Sequence, residues 1–128
     1  DILEIPSRGC FSCLFENNSL MTSAPELPAT TLNTGCYTYM FSNCTNLTAA
    51  PELPATALAI WCYTGMFSGC EKLQYVKCLA TDISADKCVK NWLNGVAGSG
   101  TFVKSSDMNN WPSGSSGIPE GWTVTNAN

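Results

Sequence analysis

Apolar residues along this chain recur in small groups four residues apart. In one clear stretch they fall at Leu58, at Cys62 with Tyr63, and at Met66 with Phe67. Such i, i+4 spacing fits one face of an α-helix. Residue types that begin and end helices recur around the same pattern. Thr30, Thr56 and Asp82 occupy one repeated position and are good N-caps. Asn17, Asn43, Gly69 and Gly95 occupy another and accept the left-handed conformation of a helix end. About 12 residues separate cap from stop, which predicts a helix of about three turns. Leu47-Thr48-Ala49-Ala50 predicts a strand of three or four residues. Pro51 closes it, since proline cannot sit inside a paired central strand, and a Pro-Glu-Leu-Pro turn leads to the next helix.

These elements repeat. Thr22-Ser23-Ala24-Pro25-Glu26-Leu27-Pro28-Ala29-Thr30 returns almost unchanged at residues 48–56, and residues 15–40 and 41–66 are identical at 15 of 26 positions. A fixed period of this length is the mark of stacked repeats. Cys10, Cys36, Cys62 and Cys88 keep the 26-residue spacing, as do Phe15, Phe41, Phe67 and Leu93. A degenerate third unit therefore spans 67–92, and a partial unit spans 1–14. The partial unit is shorter, because Pro6 lies four residues from Cys10 whereas Pro28 lies eight from Cys36. Thr101–Lys104 falls in register with Tyr75-Val76-Lys77 and predicts a last strand. Residues 105–128 hold Trp111, Ile118 and Trp122 amid Pro, Ser and Gly and read as a C-terminal cap. Either residues 1–14 cap the other end or the chain belongs to a longer array. The expected fold is α/β: a right-handed solenoid over residues 1–104, with parallel strands on one side and helices on the other, and a cap over 105–128.

Met40-Phe41-Ser42-Asn43-Cys44-Thr45-Asn46-Leu47-Thr48 resembles the BspA-type leucine-rich repeats, and Met66-Phe67-Ser68-Gly69-Cys70-Glu71-Lys72-Leu73 keeps the motif. Ala-Pro-Glu-Leu-Pro-Ala-Thr looks like a variant common in surface proteins of gut Bacteroidetes. The likeness covers residues 5–104. It implies a leucine-rich-repeat-like solenoid and an exported or surface-anchored adhesion protein. No catalytic residue belongs to the motif, so none carries over.

Composition narrows the function. The 128 residues include no His, 12% are charged, and the net charge is −4. Arg8 is the only cation before Lys72. No basic patch is available to neutralise phosphates, which argues against nucleic acid. No apolar run approaches the length of a membrane span.

Candidate chemistry is sparse. Cys10-Phe11-Ser12-Cys13 is a lone C-x-x-C without a second pair or a His, so no metal or other cofactor is expected, and the ladder cysteines read as buried thiols. Cys10–Cys36 or Cys62–Cys88 disulfides are the alternative. Cys78 takes the place of Glu52 in the third unit and is expected to be the most exposed thiol. Glu26 and Glu52 lie one repeat apart, a spacing that could serve a glycosidase or Ca²⁺, but the copied Pro-Glu-Leu-Pro turn explains them without either role. Nucleophilic triads of the usual kind need a His. The N-glycosylation patterns at Asn17, Asn43 and Asn46 are expected to be chance in a bacterial chain. Trp61 replaces Gly35 and is expected to be partly buried between helices. Two rows, Thr22/Thr48/Gln74 and Ser23/Ala49/Tyr75, run along the strand side, where repeat proteins bind.

The expectation is a non-enzymatic binding or adhesion module at a bacterial cell surface or outside the cell, with no cofactor. Its partner would be a host or bacterial surface protein or glycan. Its face would carry Thr22, Thr48, Gln74, Tyr75, Glu26 and Glu52. The alternative is a spacer or an assembly or receptor-binding piece of a larger, phage-derived protein.

Overall fold

In the middle of each unit the backbone turns left-handed at every fourth residue. In a computed structural model, which describes residues 4–5 and 7–127, φ is positive at Gly35, Tyr39 and Asn43, at Trp61, Gly65 and Gly69, and at Lys87, Asn91 and Gly95. The interior of a right-handed helix cannot hold such residues. A run of overlapping turns forms instead. The Thr38 N–H donates to the Gly35 carbonyl at 3.2 Å, Met40 to Tyr37 at 3.0 Å and Ser42 to Tyr39 at 3.1 Å. Tyr37-Thr38-Tyr39-Met40, with its third residue at positive φ, has the type II form. The amides in between leave the coil. Gly35 donates to Ile60 at 2.8 Å, Tyr37 to Cys62 at 3.0 Å, Tyr39 to Thr64 at 2.9 Å and Phe41 to Met66 at 2.9 Å. Every second N–H of this segment is bonded to the neighbouring coil.

Among the described residues there is no α-helix. The expected α/β leucine-rich-repeat-like solenoid, with a strand and a helix in each unit, is overturned. Four-residue turns bury the same i, i+4 positions as a helix, here Cys36 with Tyr37, Met40 with Phe41, and Cys44. Apolar spacing therefore does not separate the two. Gly35 and Gly65 do: each lies inside an expected helix, where glycine costs about 1 kcal/mol. The N-cap reading also fails. Asp82 accepts the Ser84 N–H at 2.9 Å and its hydroxyl at 2.6 Å in a local turn. Thr56 turns its carbonyl to the N–H of Thr81 at 2.9 Å. Asn17, Asn43, Gly69 and Gly95 are left-handed, but they close turns and not helices.

The opposite side carries a small sheet. Strands β1 (Tyr75–Cys78), β2 (Thr101–Lys104) and β3 (Thr123–Asn126) pair in parallel in that order. Leu47–Ala50, expected to be a strand, is not one. It is tied to the third unit by the Gln74 N–H on Thr48 and the Ala50 N–H on Tyr75, both at 2.9 Å, and by one bridge between Leu53 and Cys78. Pro25, Pro28, Pro51 and Pro54 offer no N–H to a ladder. One unit after Pro51 and Pro54 stand Lys77 and Ala80, and there the ladder grows into β1.

The core is linear. Phe15, Phe41 and Phe67 stack at centroid distances of 5.6 and 5.5 Å. Phe11, Tyr37, Tyr63, Trp92 and Trp111 form a second column at 6.0, 6.1, 5.8 and 5.5 Å. Residues after β2 lie against the last coil: Trp92 Nε1 donates to the Gly117 carbonyl at 2.9 Å and Trp122 Nε1 to that of Ala97 at 2.8 Å. Of the partial unit 1–14, residues 1–3 and Pro6 lie outside the described residues, as does Asn128 of the expected cap.

Candidate functional site

Alternation along β1 points Tyr75 outward, Val76 inward, Lys77 to the margin and Cys78 inward. Register then builds two outward rows. Tyr75, Thr101 and Thr123 lie side by side, and so do Lys77, Val103 and Thr125. Tyr75 keeps 38% of its surface exposed. Beyond Lys77 the row reaches Glu52, whose Oε1 lies 3.5 Å from Nζ. An ion pair this exposed contributes at most about 1 kcal/mol, so it orients the two side chains more than it stabilises the fold.

The Leu53–Cys78 bridge spans one residue less than the repeat. That shift places Lys77, not Cys78, beside Glu52. Cys78 moves onto the inward row of Leu27 and Leu53 and is fully buried. The expectation that it is the most exposed thiol is wrong for this reason. Burial pushes its pKa to about 12.

The other expected residues are scattered. Glu26 and Glu52 line one open concavity of about 430 Å³ with Leu27, Pro28, Pro51 and Pro54, and Glu52 is already paired with Lys77. Thr48 and Gln74 are exposed and joined through their backbones. Thr22 is exposed on the unit before, and no hydrogen bond among the described residues links it to Thr48. The structure thus gathers Tyr75, Gln74, Thr48 and Glu52 at the head of the sheet and leaves Thr22 apart.

Six cysteines are buried and two, Cys10 and Cys13, are exposed; all eight are free thiols. Desolvation raises Cys36 to about 11 and Cys70 to about 12, and Cys44, Cys62 and Cys88 also move up. Cys44 and Cys70 donate to the carbonyls of Phe15 and Phe41 at 3.2 and 3.0 Å. Neutral, bonded thiols of this kind are packing groups, because the thiolate is the reactive species. No cluster of three metal-ligating side chains occurs among the described residues.

No family model, curated protein or solved structure matches this chain. Among the described residues no helix is long and apolar enough to cross a membrane.

Sequence reasoning missed one concave site on the turn side, about 670 Å³ in volume, lined in part by Arg8, Gly35, Thr38 and Trp61. The available signal was the position shared by Gly9, Gly35 and Trp61, where two glycines are followed by the largest side chain. Trp61 was expected between helices; it lies on the turns, 38% exposed, with the Lys87 Nζ 4.9 Å from its ring centroid.

Proposed function

We propose that this chain is a non-enzymatic binding or adhesion module that presents its sheet face to a surface protein or glycan of a host or a bacterium. One observation carries the reading. The interior is used up by aromatic columns and neutral thiols, while a flat outward row, Tyr75–Thr101–Thr123, lies beside the Glu52–Lys77 pair. An exposed tyrosine on a rigid parallel sheet is an inexpensive recognition group, since little side-chain freedom is lost on binding. The likeness of the Met-Phe-x-x-Cys-x-x-Leu motif to BspA-type repeats supports a place at a bacterial cell surface or outside the cell. Burial of six thiols in neutral form suits that place, because it protects them from exchange. In the same reading residues 105–128 cap the stack.

The test is a screen of the purified chain against immobilised mucins, matrix proteins and a glycan array. A specific hit that is lost in Gln74→Ala and Tyr75→Ala, with unchanged melting, is the expected result. Silence across the panel would shift the reading to a spacer or assembly piece of a larger protein.

A further inference from the structure

We infer that the turn side carries a second binding site, a groove for an acidic saccharide, independent of the sheet face. The groove crosses three successive coils. Gly9 and Gly35 form its floor and Trp61 its far wall. A Cβ at Gly9 would meet nothing within 4 Å, and one at Gly35 would meet only the Thr38 hydroxyl, at 3.3 Å. The groove exists because two rungs lack a side chain and the third carries an indole.

Trp61 is held at φ 63°. Glycine adopts that conformation without steric cost, and the two preceding units use it there. The turn imposes it, as it does at Tyr39 and at Lys87 one unit on, so the indole projects from a backbone position that the repeat itself fixes. The Lys87 ammonium from the next coil lies over the ring and steadies it, so the indole is a fixed, half-exposed plate.

The polar groups define the ligand. The Thr38 hydroxyl donates to the Trp61 carbonyl at 2.8 Å, and the Ser12 hydroxyl donates to the Thr38 carbonyl at 3.2 Å. The Thr38 hydroxyl has spent its one proton, and the Ser12 hydroxyl is engaged with the Thr38 carbonyl and with the Cys13 sulfur at 3.6 Å, so each still offers a lone pair to the groove. The ligand must bring O–H donors to them. Arg8 offers only donors and a positive charge, for which a carboxylate is the matched acceptor. From the Arg8 coil to the Trp61 coil is two inter-coil steps, about 10 Å, the span of one or two sugar rings. A ring with hydroxyls, a carboxylate and a C–H face for the indole is a uronic- or sialic-type sugar. An acidic peptide would satisfy Arg8 but brings no such ring.

The experiment is isothermal titration of the whole chain with trigalacturonate, maltotriose and triglutamate. Expected is saturable binding of trigalacturonate, about tenfold or more tighter than maltotriose, as a charge-assisted contact warrants. Arg8→Gln should weaken it by a similar factor and reduce its salt dependence, leaving what the Lys87 ammonium beside Trp61 contributes. Trp61→Gly, which restores the glycine of the preceding units, should abolish it, and Tyr75→Ala should leave it unchanged. Should Trp61→Gly fail to fold, Gly9→Asn fills the floor with a residue that tolerates the left-handed backbone and should block binding equally. No saturable heat with trigalacturonate, equal affinity for maltotriose, tighter binding of triglutamate, or an unaffected Arg8→Gln would each overturn the inference. Binding lost in Tyr75→Ala but kept in Trp61→Gly would also overturn it, and would move the saccharide to the sheet face.

Discussion

The two sides of each coil obey different rules. On the turn side, from residue 34 to 43 and from 60 to 69, the conformation repeats almost without change. Every second amide bonds to the neighbouring coil, and the buried pairs stack ring on ring. On the opposite side the first two full units are irregular, and a sheet appears only from Tyr75 onward. Both sides derive from one repeated template, and prolines account for much of the difference. The turn side has none, so its ladder of N–H donors is complete. The Pro-Glu-Leu-Pro segments interrupt theirs twice per unit. Order along the stack thus comes from the turns, and the sheet adds to it where prolines stop.

The turn side should therefore hold most of the packing stability, while the largest single effect should come from thiols buried on both sides. Burial raises Cys70 on the turn side and Cys78 on β1 from 9.0 to about 12. Above pH 9 the unfolded thiols ionise while the folded ones keep their protons. The unfolded state then binds fewer protons, so stability falls as pH rises and is complete only below 9. At about 1.4 kcal/mol per thiol per pH unit, these two alone should remove roughly 5 kcal/mol between pH 9 and 11. That rivals the whole stability of a small domain. Cys36, Cys44, Cys62 and Cys88 act in the same direction. Urea unfolding followed by circular dichroism at pH 8, 9.5 and 11 checks this. A flat profile would mean that the thiols are not buried as described. Cys70→Ala and Cys78→Ala divide the slope between the two sides.

Packing comes next. Phe67→Ala removes the last, fully buried ring of the phenylalanine column, and the coils cannot close up around it, because each is fixed to the next by amide hydrogen bonds. The expected loss is about 3–5 kcal/mol. Tyr75→Ala on the sheet face should cost less than about 1 kcal/mol. Equal losses from the two substitutions, read from urea midpoints, would contradict the asymmetry.

The ladders of Cys36 and Cys62 and of Phe41 and Phe67 are visible as spacing, and the structure stacks the two phenylalanines. The backbone between them is not legible in that spacing, because a helix and a chain of four-residue turns bury the same positions. The deciding residues were Gly35, Gly65 and Trp61, whose left-handed backbone shows only as glycine in two places and is hidden by an indole in the third. The inward turn of Cys78 was illegible for another reason. The third unit runs one residue short between Leu53 and Cys78, and a one-residue slip moves a side chain to the other face of a strand. At the candidate site, Tyr75 and Glu52 could be found from the repeat, but the Lys77 partner could not, because it depends on that slip.

A smaller effect is expected where the sheet side meets its own steric limit. A Cβ at Gly100 would lie 2.6 Å from the Gln74 carbonyl oxygen and 2.8 Å from the Trp122 ring. The carbonyl is backbone and cannot move aside without parting β1 from β2. Gly100→Ala should cost about 1–3 kcal/mol, the usual range for overpacking. The loss should be local: amide exchange of Thr101–Lys104 should quicken while that of Tyr37–Phe41 stays slow. Uniform quickening would mean that the two sides unfold as one unit.

The smallest effect is expected at Trp111, which ends the longer aromatic column. Its Nε1 is buried and has no hydrogen-bond partner among the described residues. An orphaned N–H of this kind costs about 1–3 kcal/mol. The same ring stacks on Trp92 at 5.5 Å and meets Phe102 edge-on at 5.2 Å, contacts that a phenyl ring can keep in part. Trp111→Phe removes the orphan donor and gives up some ring area, two terms of similar size and opposite sign. The variant should therefore match or slightly exceed the parent in urea midpoint, within about 1 kcal/mol. Trp92→Phe is the control, since the Trp92 Nε1 is bonded to Gly117 and its loss leaves a carbonyl unpaired as well. A clear loss at Trp92 beside none at Trp111 would show that the column ends on an imperfect rung. A similar loss at both would mean that Trp111 has found a partner in solution.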